Sequence, residues 1–326
     1  MNIKNEHIQE LVRLGYTERE SSFLYVVATF SGHFLRRQFE SFTGTPHGGP
    51  SRDFIEKSIQ QNHVHEIPYK QSNHRRYHLF SRIVYRAIDK ENSAHRKPGL
   101  EAKANSKLRV LEFVLSHFKY EYLEEESDKV QFFTTRKNIP MDVLPVTIFG
   151  GKTPGNNTAR YFIDKFPILL GESSNDGDLI PAFTFFEHDN ASLDHFRGHL
   201  SAYKPLLHAL DGRYRFIYVA EQPTRFEHAL KIFQSVLSGP ASPSYYPLML
   251  AYFRLKRLWD EKRLDQLTDR DYVTLNRGER RFAQPEYQAL YQQWLAGGLN
   301  SGIAGQPQSK SAPPAAGIFC TRQVIL

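Results

Sequence analysis

The amino-acid sequence predicts a mixed α/β fold, and three patterns carry that prediction. Short helical patterns and two strand-like runs fill the first 90 residues, strand-like runs alternate with helices from residue 100 to 238, and two helical patterns follow. Alternating strands and helices form layers around a sheet that is at least partly parallel. We therefore expect a sheet domain in the middle of the chain, with "SLDHFRGHLSAYKPLLHAL" as a crossover helix between two strands.

Composition shifts divide the chain further. We expect a first domain at 1–90, a polar linker at 91–99, the sheet domain at 100–238, a helical segment at 239–297 and a tail at 298–326. The tail is rich in Gly, Ser, Pro and Gln, which predicts disorder.

The charge balance and the cysteine count limit the class of protein. The 326 residues contain 42 Lys and Arg against 35 Asp and Glu, a net charge of +7, which is compatible with a nucleic-acid partner. The sequence has no signal-peptide pattern and no apolar run of about 20 residues, so we expect a cytoplasmic protein without a membrane partner. The single cysteine, Cys320, excludes an intramolecular disulfide and a cysteine-based metal or catalytic centre.

Helix signals dominate the first domain. Thr17 precedes Glu20 by three residues, which predicts a capping box at the start of a core helix. A second helix, "FLRRQFESF", would bury its apolar residues and end at Thr43-Gly44. A third helix begins near Pro50-Ser51, and its inward residues would be Phe54, Ile55, Ile59 and Val64.

A basic hairpin completes the domain. The strand-like runs "VHEIPY" and "RRYHLF" flank the polar "KQSNH". Helices followed by such a hairpin are the order of a winged helix-turn-helix, in which one helix enters the major groove and the hairpin, or wing, contacts phosphates. The expected contacts to double-stranded DNA are Arg36, Arg37, Arg52, Lys57, Gln60 and Gln61 on the helices, and Lys70, His74, Arg75 and Arg76 on the wing.

The local charge favours that interpretation. Residues 33–88 contain nine Lys or Arg against four Asp or Glu, so most of the net charge falls in this domain. Winged helices also mediate protein contacts, and charges on exposed helix faces are commonly just solvated. A protein-interaction module therefore stays open as an alternative.

Carboxylates cluster in the sheet domain. Strand alternation places Glu187 and Asp189 on one side of "FTFFEHD", and Asp164 lies in "RYFIDKF", which we interpret as part of a neighbouring strand. Carboxylates that converge from two strands suit Mg²⁺, and the metal-binding pair would be Asp164 and Glu187. These acids could equally face solvent or pair with nearby arginines. His195 and His199, four residues apart, resemble half of a zinc site but lack the Glu of H-E-x-x-H, and they could equally face solvent.

The order of these features resembles a known family. A basic winged helix followed by "FTFFEHDNASLDHFRGHLSAYKPLL" and "RYRFIYVAE" is similar to the replication-relaxation proteins of plasmids and integrative elements, over about residues 8–237. The resemblance implies that the second domain is related to the PD-(D/E)xK nuclease fold, with Asp164 and Glu187 in its two acidic positions.

The sequence departs from the nuclease motif at two places. Ile163 replaces the motif's proline and Asp189 replaces its lysine, and Lys204 on the next helix is the candidate substitute. The motif lysine positions the attacking water and stabilises charge on the phosphate. Its absence favours a degenerate nuclease fold.

We therefore expect a DNA-binding protein that acts in the replication, maintenance or regulation of a mobile genetic element and needs no cofactor. A Mg²⁺-dependent endonuclease using Asp164, Glu187, Asp189 and Lys204 stays open as a second alternative to the interaction module. Expected partners are double-stranded DNA and proteins of a replication or mobilisation complex, and a homodimer is compatible with the sequence.

Overall fold

The computed structural model describes residues 1–45, 48–68, 75–149, 158–164, 166–172, 178–187, 193–222, 224–238, 246–282 and 318–322, with a few residues between 288 and 295. The helices are α1 (Asn5–Arg13), α2 (Glu18–Phe30), α3 (Arg36–Thr43), α4 (Gly49–Gln60), α5 (Arg82–Arg86), α6 (Glu101–Ser116), α7 (Glu126–Gln131), α8 (Leu193–Ala209), α9 (Thr224–Ser238), α10 (Tyr246–Asp260) and α11 (Asp269–Arg281).

The strands form three sheets. They are β1 (His33–Phe34), β2 (Val64–Pro68), β3 (Arg75–Leu79), β4 (Glu121–Leu123), β5 (Val146–Phe149), β6 (Thr158–Tyr161), β7 (Ile168–Glu172), β8 (Leu179–Phe186), β9 (Arg215–Ala220) and β10 (Ile318–Arg322). The sheet orders are β1-β3-β2, β10-β9-β8-β7-β4 and β5-β6. The prediction of a mixed α/β fold is confirmed.

The N-terminal segment packs its helices on the small antiparallel sheet. The predicted capping box is present, because Thr17 Oγ1 accepts from the Glu20 amide and the Glu20 carboxylate accepts from the Thr17 amide at 2.8 Å. α3 ends at Gly44, whose φ of 66° suits a residue without a Cβ. In the core, the rings of Phe39 and Phe54 stack with centroids 4.2 Å apart.

One residue expected in this core is exposed. Ile59 is 37% exposed, whereas Ser58 beside it is buried and donates its hydroxyl to the Phe54 carbonyl. The inward face of α4 therefore passes through Ser58, whose hydroxyl is satisfied within the helix.

The stretch predicted as a linker is packed against the small sheet. Residues 94–96 form a 3₁₀ turn, and His78 Nε2 lies 3.1 Å from the His95 carbonyl oxygen. A Cβ on Gly32, whose φ is +74°, would lie 2.3 Å from that same oxygen. Only glycine fits at this position.

One continuous core joins the two predicted domains. It extends from Leu11 to Leu237. At the junction, Phe30 meets Tyr122 and Phe42 meets Phe118, with ring centroids 5.3 and 5.1 Å apart. A separate apolar cluster forms around α10 and α11, with Tyr252 and Phe253 at its centre.

The large sheet contains the predicted crossover. β4, β7 and β8 are antiparallel, and β8 continues through α8 into the parallel strand β9, so the strand-helix-strand prediction is confirmed. Phe186 faces α6 through Phe113, while Phe185, on the opposite side of the strand, faces α8 through Phe196. Helices therefore cover both faces of β8.

Two sequence expectations are wrong. The run around Asp164 does not form one strand: it divides into β6 and β7, and Phe162 in the intervening turn has a φ of +51°. Asp164 Oδ1 accepts from the Phe166 amide at 3.2 Å, a local side-chain bond that competes with strand pairing. Within the tail predicted to be disordered, Ile318–Arg322 form β10, which pairs in parallel with β9; its apolar "IFC" differs in composition from the rest of the tail, which lies outside the described residues.

No helix in the described part of the chain combines the length and the apolar character needed to cross a bilayer.

Candidate nucleic-acid interface and buried carboxylate site

The exposed face of α4 carries charges of both signs. Arg52 and Gln60 are exposed there, as expected for a face that contacts DNA, and Asp53 and Glu56 share it. The Arg52 guanidinium lies 3.8 Å from the Asp53 carboxylate and 3.7 Å from that of Glu56. These exposed contacts are weak and leave the arginine available to a stronger partner.

Several of the expected DNA contacts bind other parts of the protein. Lys57 Nζ lies 2.5 Å from the Glu20 carboxylate and donates to the Gly15 carbonyl, while Gln61 donates to the Leu14 carbonyl. Both side chains therefore attach α4 to the α1–α2 turn.

The two arginines of α3 also have structural partners. Arg36 donates to Glu40 and Ser51, each at 2.9 Å, which connects α3 to the start of α4. Arg37 lies 3.3 Å from Glu112 on α6. The positive charges of both arginines are therefore partly neutralised by these neighbouring carboxylates.

The two described wing arginines differ in exposure. Arg75 is exposed and lies 2.5 Å from Glu66 on the paired strand. Arg76 is 6% exposed, because strand alternation puts it on the sheet face that carries His78. To contact phosphates as predicted, Arg76 would have to leave this buried position. Lys70 and His74 lie outside the described residues.

Ion pairs with acids from other parts of the chain reduce the positive charge of residues 33–88 below the value obtained by counting residues in the sequence. The acids that pair with basic residues of the segment 33–88 include Glu20, Glu91 and Glu112, which lie outside it. The surplus of five counted along the sequence is therefore partly neutralised in space.

Asp164 belongs to a buried polar cluster between the β6–β7 turn and α8. Its Oδ2 lies 3.2 Å from His199 Nδ1, and the Tyr203 hydroxyl donates to the same carboxylate. Burial alone would raise the pKa of Asp164, but the bonds from His199 and Tyr203, together with the charge of Lys129, lower it. The side chains of Asp164 and His199 are only 20% and 6% exposed.

Lys129 is a buried cation whose charge acts on Asp164. It is 6% exposed, and its Nζ lies 3.4 Å from the Phe166 carbonyl oxygen and 5.9 Å from the centroid of the Phe162 ring. Burial lowers the pKa of Lys129, and Asp164 opposes that change. Lys129 was not among the predicted site residues, because a lysine in a polar run before two phenylalanines matches no motif. The signal that the sequence did offer was the spacing of His199 and Tyr203, which are four residues apart and therefore share one helix face.

Glu187 has different partners. It follows β8 directly, and its carboxylate lies 3.6 Å from Arg225 Nε at the start of α9. Burial raises the pKa of Glu187, and Arg225 opposes that shift. Arg109 donates to the Glu187 carbonyl and pairs with Glu221, which follows β9. This edge, where the parallel strands β8 and β9 end, is thus a network of charge pairs.

The remaining candidates are dispersed. Lys204 lies on α8, where burial lowers its pKa, and its charge acts on His208. His195 is exposed on α8, while His199 bonds to Asp164. Asp189 lies outside the described residues. Among those described, no group of three or more His, Cys, Asp or Glu side chains is arranged to hold a metal ion.

The chain was compared with protein-family models, with curated proteins and with solved structures, and none of them matches it.

Proposed function

We propose that the protein binds double-stranded DNA through an N-terminal winged helix. The observation that carries this proposal is the order α2-β1-α3-α4-β2-β3 together with the antiparallel sheet order β1-β3-β2. In a winged helix of this order, α4 is the helix that enters the major groove and the β2–β3 connection is the wing.

The side chains of α4 favour base contacts over general attraction to phosphates. Arg52 and Gln60 can donate to base edges in the major groove. Asp53 and Glu56 can accept from cytosine amino groups, but they repel the phosphate backbone. On the wing, Arg75 is the described residue that is exposed and able to exchange Glu66 for a phosphate. The expected binding is therefore sequence-dependent, with a modest electrostatic contribution.

We further propose that the sheet domain is a degenerate nuclease-like fold, and that the chain acts in the replication, maintenance or regulation of a mobile element. The order α6, β4, β7, β8, α8, β9, with three antiparallel strands and one parallel crossover, supports the first part. Asp164 and Glu187 flank the paired strands β7 and β8 at one end of the sheet. The association with a mobile element rests on the sequence resemblance.

The residues present do not fit a catalytic Mg²⁺ ion. The Asp164 carboxylate already accepts bonds from the Phe166 amide, His199 and Tyr203, and Glu187 faces Arg225. To bind a metal, Asp164 would have to give up these buried hydrogen bonds, which costs several kcal/mol, and Arg225 competes with the ion for Glu187. Binding without cleavage is the activity that these contacts favour.

To test the proposal, binding sites are first selected from a randomised library of duplex DNA. Binding to the selected sites and to random duplex DNA is then measured by fluorescence anisotropy across a salt series. We expect Arg52→Ala to weaken binding to the selected sites by about 1–3 kcal/mol, and Arg75→Ala to reduce the salt dependence by about one phosphate contact. Lys231→Ala on α9, an exposed lysine far along the chain from α4, is the matched control and should change neither.

The same samples separate the two alternatives. DNA that is cut only when Mg²⁺ is present, with cutting abolished by Glu187→Ala, would establish the endonuclease. A folded protein that binds no duplex even at low salt would contradict the DNA proposal and favour the interaction module.

A further inference from the structure

A cleft of about 620 Å³ lies where the N-terminal segment meets the sheet domain. Its lining includes Thr29, Phe30 and residues 89–95, together with residues 123–126 and 160–163. Its volume falls within the roughly 300–1,000 Å³ typical of ligand-binding clefts. None of its lining residues belongs to α4, β2 or β3, so it is separate from the proposed DNA interface.

Aromatic side chains line much of this cleft. They are Phe30, Phe149, Tyr161, Phe162 and Phe166. Phe149 is 50% exposed and its neighbour in the lining, Ile163, is 46% exposed. Large apolar side chains that stay exposed beside a cleft indicate a binding surface, and the faces of aromatic rings attract cations.

Carboxylates outnumber the cations of the lining. The described lining contains three cations, Lys90, Lys129 and Arg160, and five acids, Asp89, Glu91, Glu124, Glu125 and Glu126. Glu91 is paired with Arg82 and Arg86, which lie outside the lining, at 3.4 and 3.2 Å. The single ammonium of Lys90 is shared between Glu124 and Glu125, at 3.3 and 3.1 Å. The Asp89 side chain is 88% exposed and has His7 as its partner.

Lys129 contributes little to the mouth of the cleft. Its side chain is nearly inaccessible, and its ammonium lies 3.4 Å from the Phe166 carbonyl oxygen. The Arg160 guanidinium forms an ion pair with the Glu126 carboxylate, with Nε and Oε2 2.6 Å apart. The remaining negative charge comes from Asp89 and from the Glu124–Glu125 pair, which shares one ammonium. A negative excess beside aromatic rings repels phosphate groups and attracts organic cations.

We propose that this cleft binds a short basic segment of a protein partner, which inserts an arginine or lysine side chain between the aromatic walls. The alkyl stem of such a side chain would contact Phe149 and Tyr161, and its cationic head would reach the shared Glu124–Glu125 pair. Because the cleft is lined by the N-terminal segment and by the sheet domain, a bound partner would lie beside the proposed winged helix and would leave α4 uncovered.

The proposal is tested by methyl NMR on the full chain, with the peptide Ac-Leu-Arg-Leu-Arg-NH2 as the probe. The methyl groups of Leu123 and Ile163 report on the cleft, and Leu24 in the core is the internal control. We expect saturable shifts at Leu123 and Ile163. A peptide with citrulline at both arginine positions keeps the shape and removes the charge, and it should bind at least tenfold more weakly.

The variant Phe149→Ala removes an exposed ring without touching the core, and we expect it to weaken the arginine peptide about two- to thirtyfold, the range of a cation–π contact. Leu100→Ala, at a 75% exposed apolar residue outside the cleft, should have no effect.

Equal binding of the arginine and citrulline peptides, or shifts that do not involve Leu123 and Ile163, would overturn the proposal. Agmatine binding as tightly as the peptide would also overturn it in favour of a small organic cation. Duplex DNA added to the same sample should not displace the peptide, so the result is independent of DNA binding.

Discussion

His33 is a buried histidine whose protonation opposes folding. It is 1% exposed, its ring stacks on His78 with centroids 4.4 Å apart, and neither ring nitrogen has a hydrogen-bond partner among the described residues. Burial, followed by the charges of His78, Lys107 and Arg76, lowers the pKa of His33 to about 2. Below its ordinary value of 6.5, the unfolded chain takes up a proton that the folded chain excludes.

The stability that depends on neutral His33 is therefore complete above pH 6.5 and falls by about 1.4 kcal/mol for each pH unit below it. We predict that His33→Phe, which keeps the stacked ring, loses about 2 kcal/mol less of its free energy of unfolding than the unmodified chain between pH 6.5 and 5.0. Urea unfolding at both pH values measures this, with exposed His228→Phe as control. Parallel losses in His33→Phe and the unmodified chain would contradict the assignment.

Asp164 stabilises the fold through its charge. Because its folded pKa lies below the ordinary value of 3.8, its contribution is present above about pH 4 and is lost as the pH falls through the lowered pKa. We predict that Asp164→Asn lowers the free energy of unfolding at pH 7 by about 3 kcal/mol, since buried Lys129 loses its counter-charge and the Tyr203 hydroxyl loses a charged acceptor. Exposed Asp194→Asn on α8 is the control in chemical denaturation. A variant as stable as the unmodified chain would show that the cluster adds little.

At the scale of elements, the exposed face of α4 carries both basic and acidic side chains, which would attract and repel DNA. Glu56 lies on the exposed face of α4 and is 3.7 Å from Arg52. We predict that Glu56→Gln raises the affinity for random duplex DNA up to about fivefold at low salt, corresponding to about 1 kcal/mol for an exposed charge. Anisotropy titrations measure the change, and Glu227→Gln on α9 is the control. An unchanged or weaker affinity would place the DNA contact away from α4.

Elements fixed by neighbouring residues could be predicted from the sequence. The capping box of α2, the Gly44 end of α3 and the crossover around α8 depend on spacings within one element or between neighbours, and all three are present. β1 was not predicted, because a strand of two residues is defined only by its pairing with β3.

The functional residues were harder to predict because their partners are distant in sequence. Lys57 and Glu20 are 37 residues apart, and Arg37 and Glu112 are 75 apart. A sequence count of charges cannot register such pairs, and it therefore assigned to DNA several side chains that hold α4 and α3 in place. The Asp164–His199 bond was likewise hidden, since it joins a turn to a helix.

At the scale of the whole molecule, the shared core makes the first domain dependent on the second. Phe30 and Phe42 pack on Tyr122 and Phe118, and residue Gly32 fits against His95. We predict that a fragment of residues 1–90 has no cooperative urea transition, whereas residues 1–238 unfold in one transition. Circular dichroism at matched concentrations tests this, and a cooperative transition of the short fragment would contradict it.

The central claim is that the small sheet and α4 form a DNA-binding unit on a scaffold that does not cut DNA. The most direct test is anisotropy with duplex DNA across a salt series in the presence of Mg²⁺, followed by electrophoresis of the same DNA. We predict binding that weakens with salt, is reduced by Arg52→Ala and Arg75→Ala, and leaves the DNA intact. Absence of binding at low salt by the folded chain, or cleavage that Glu187→Ala abolishes, would contradict the account.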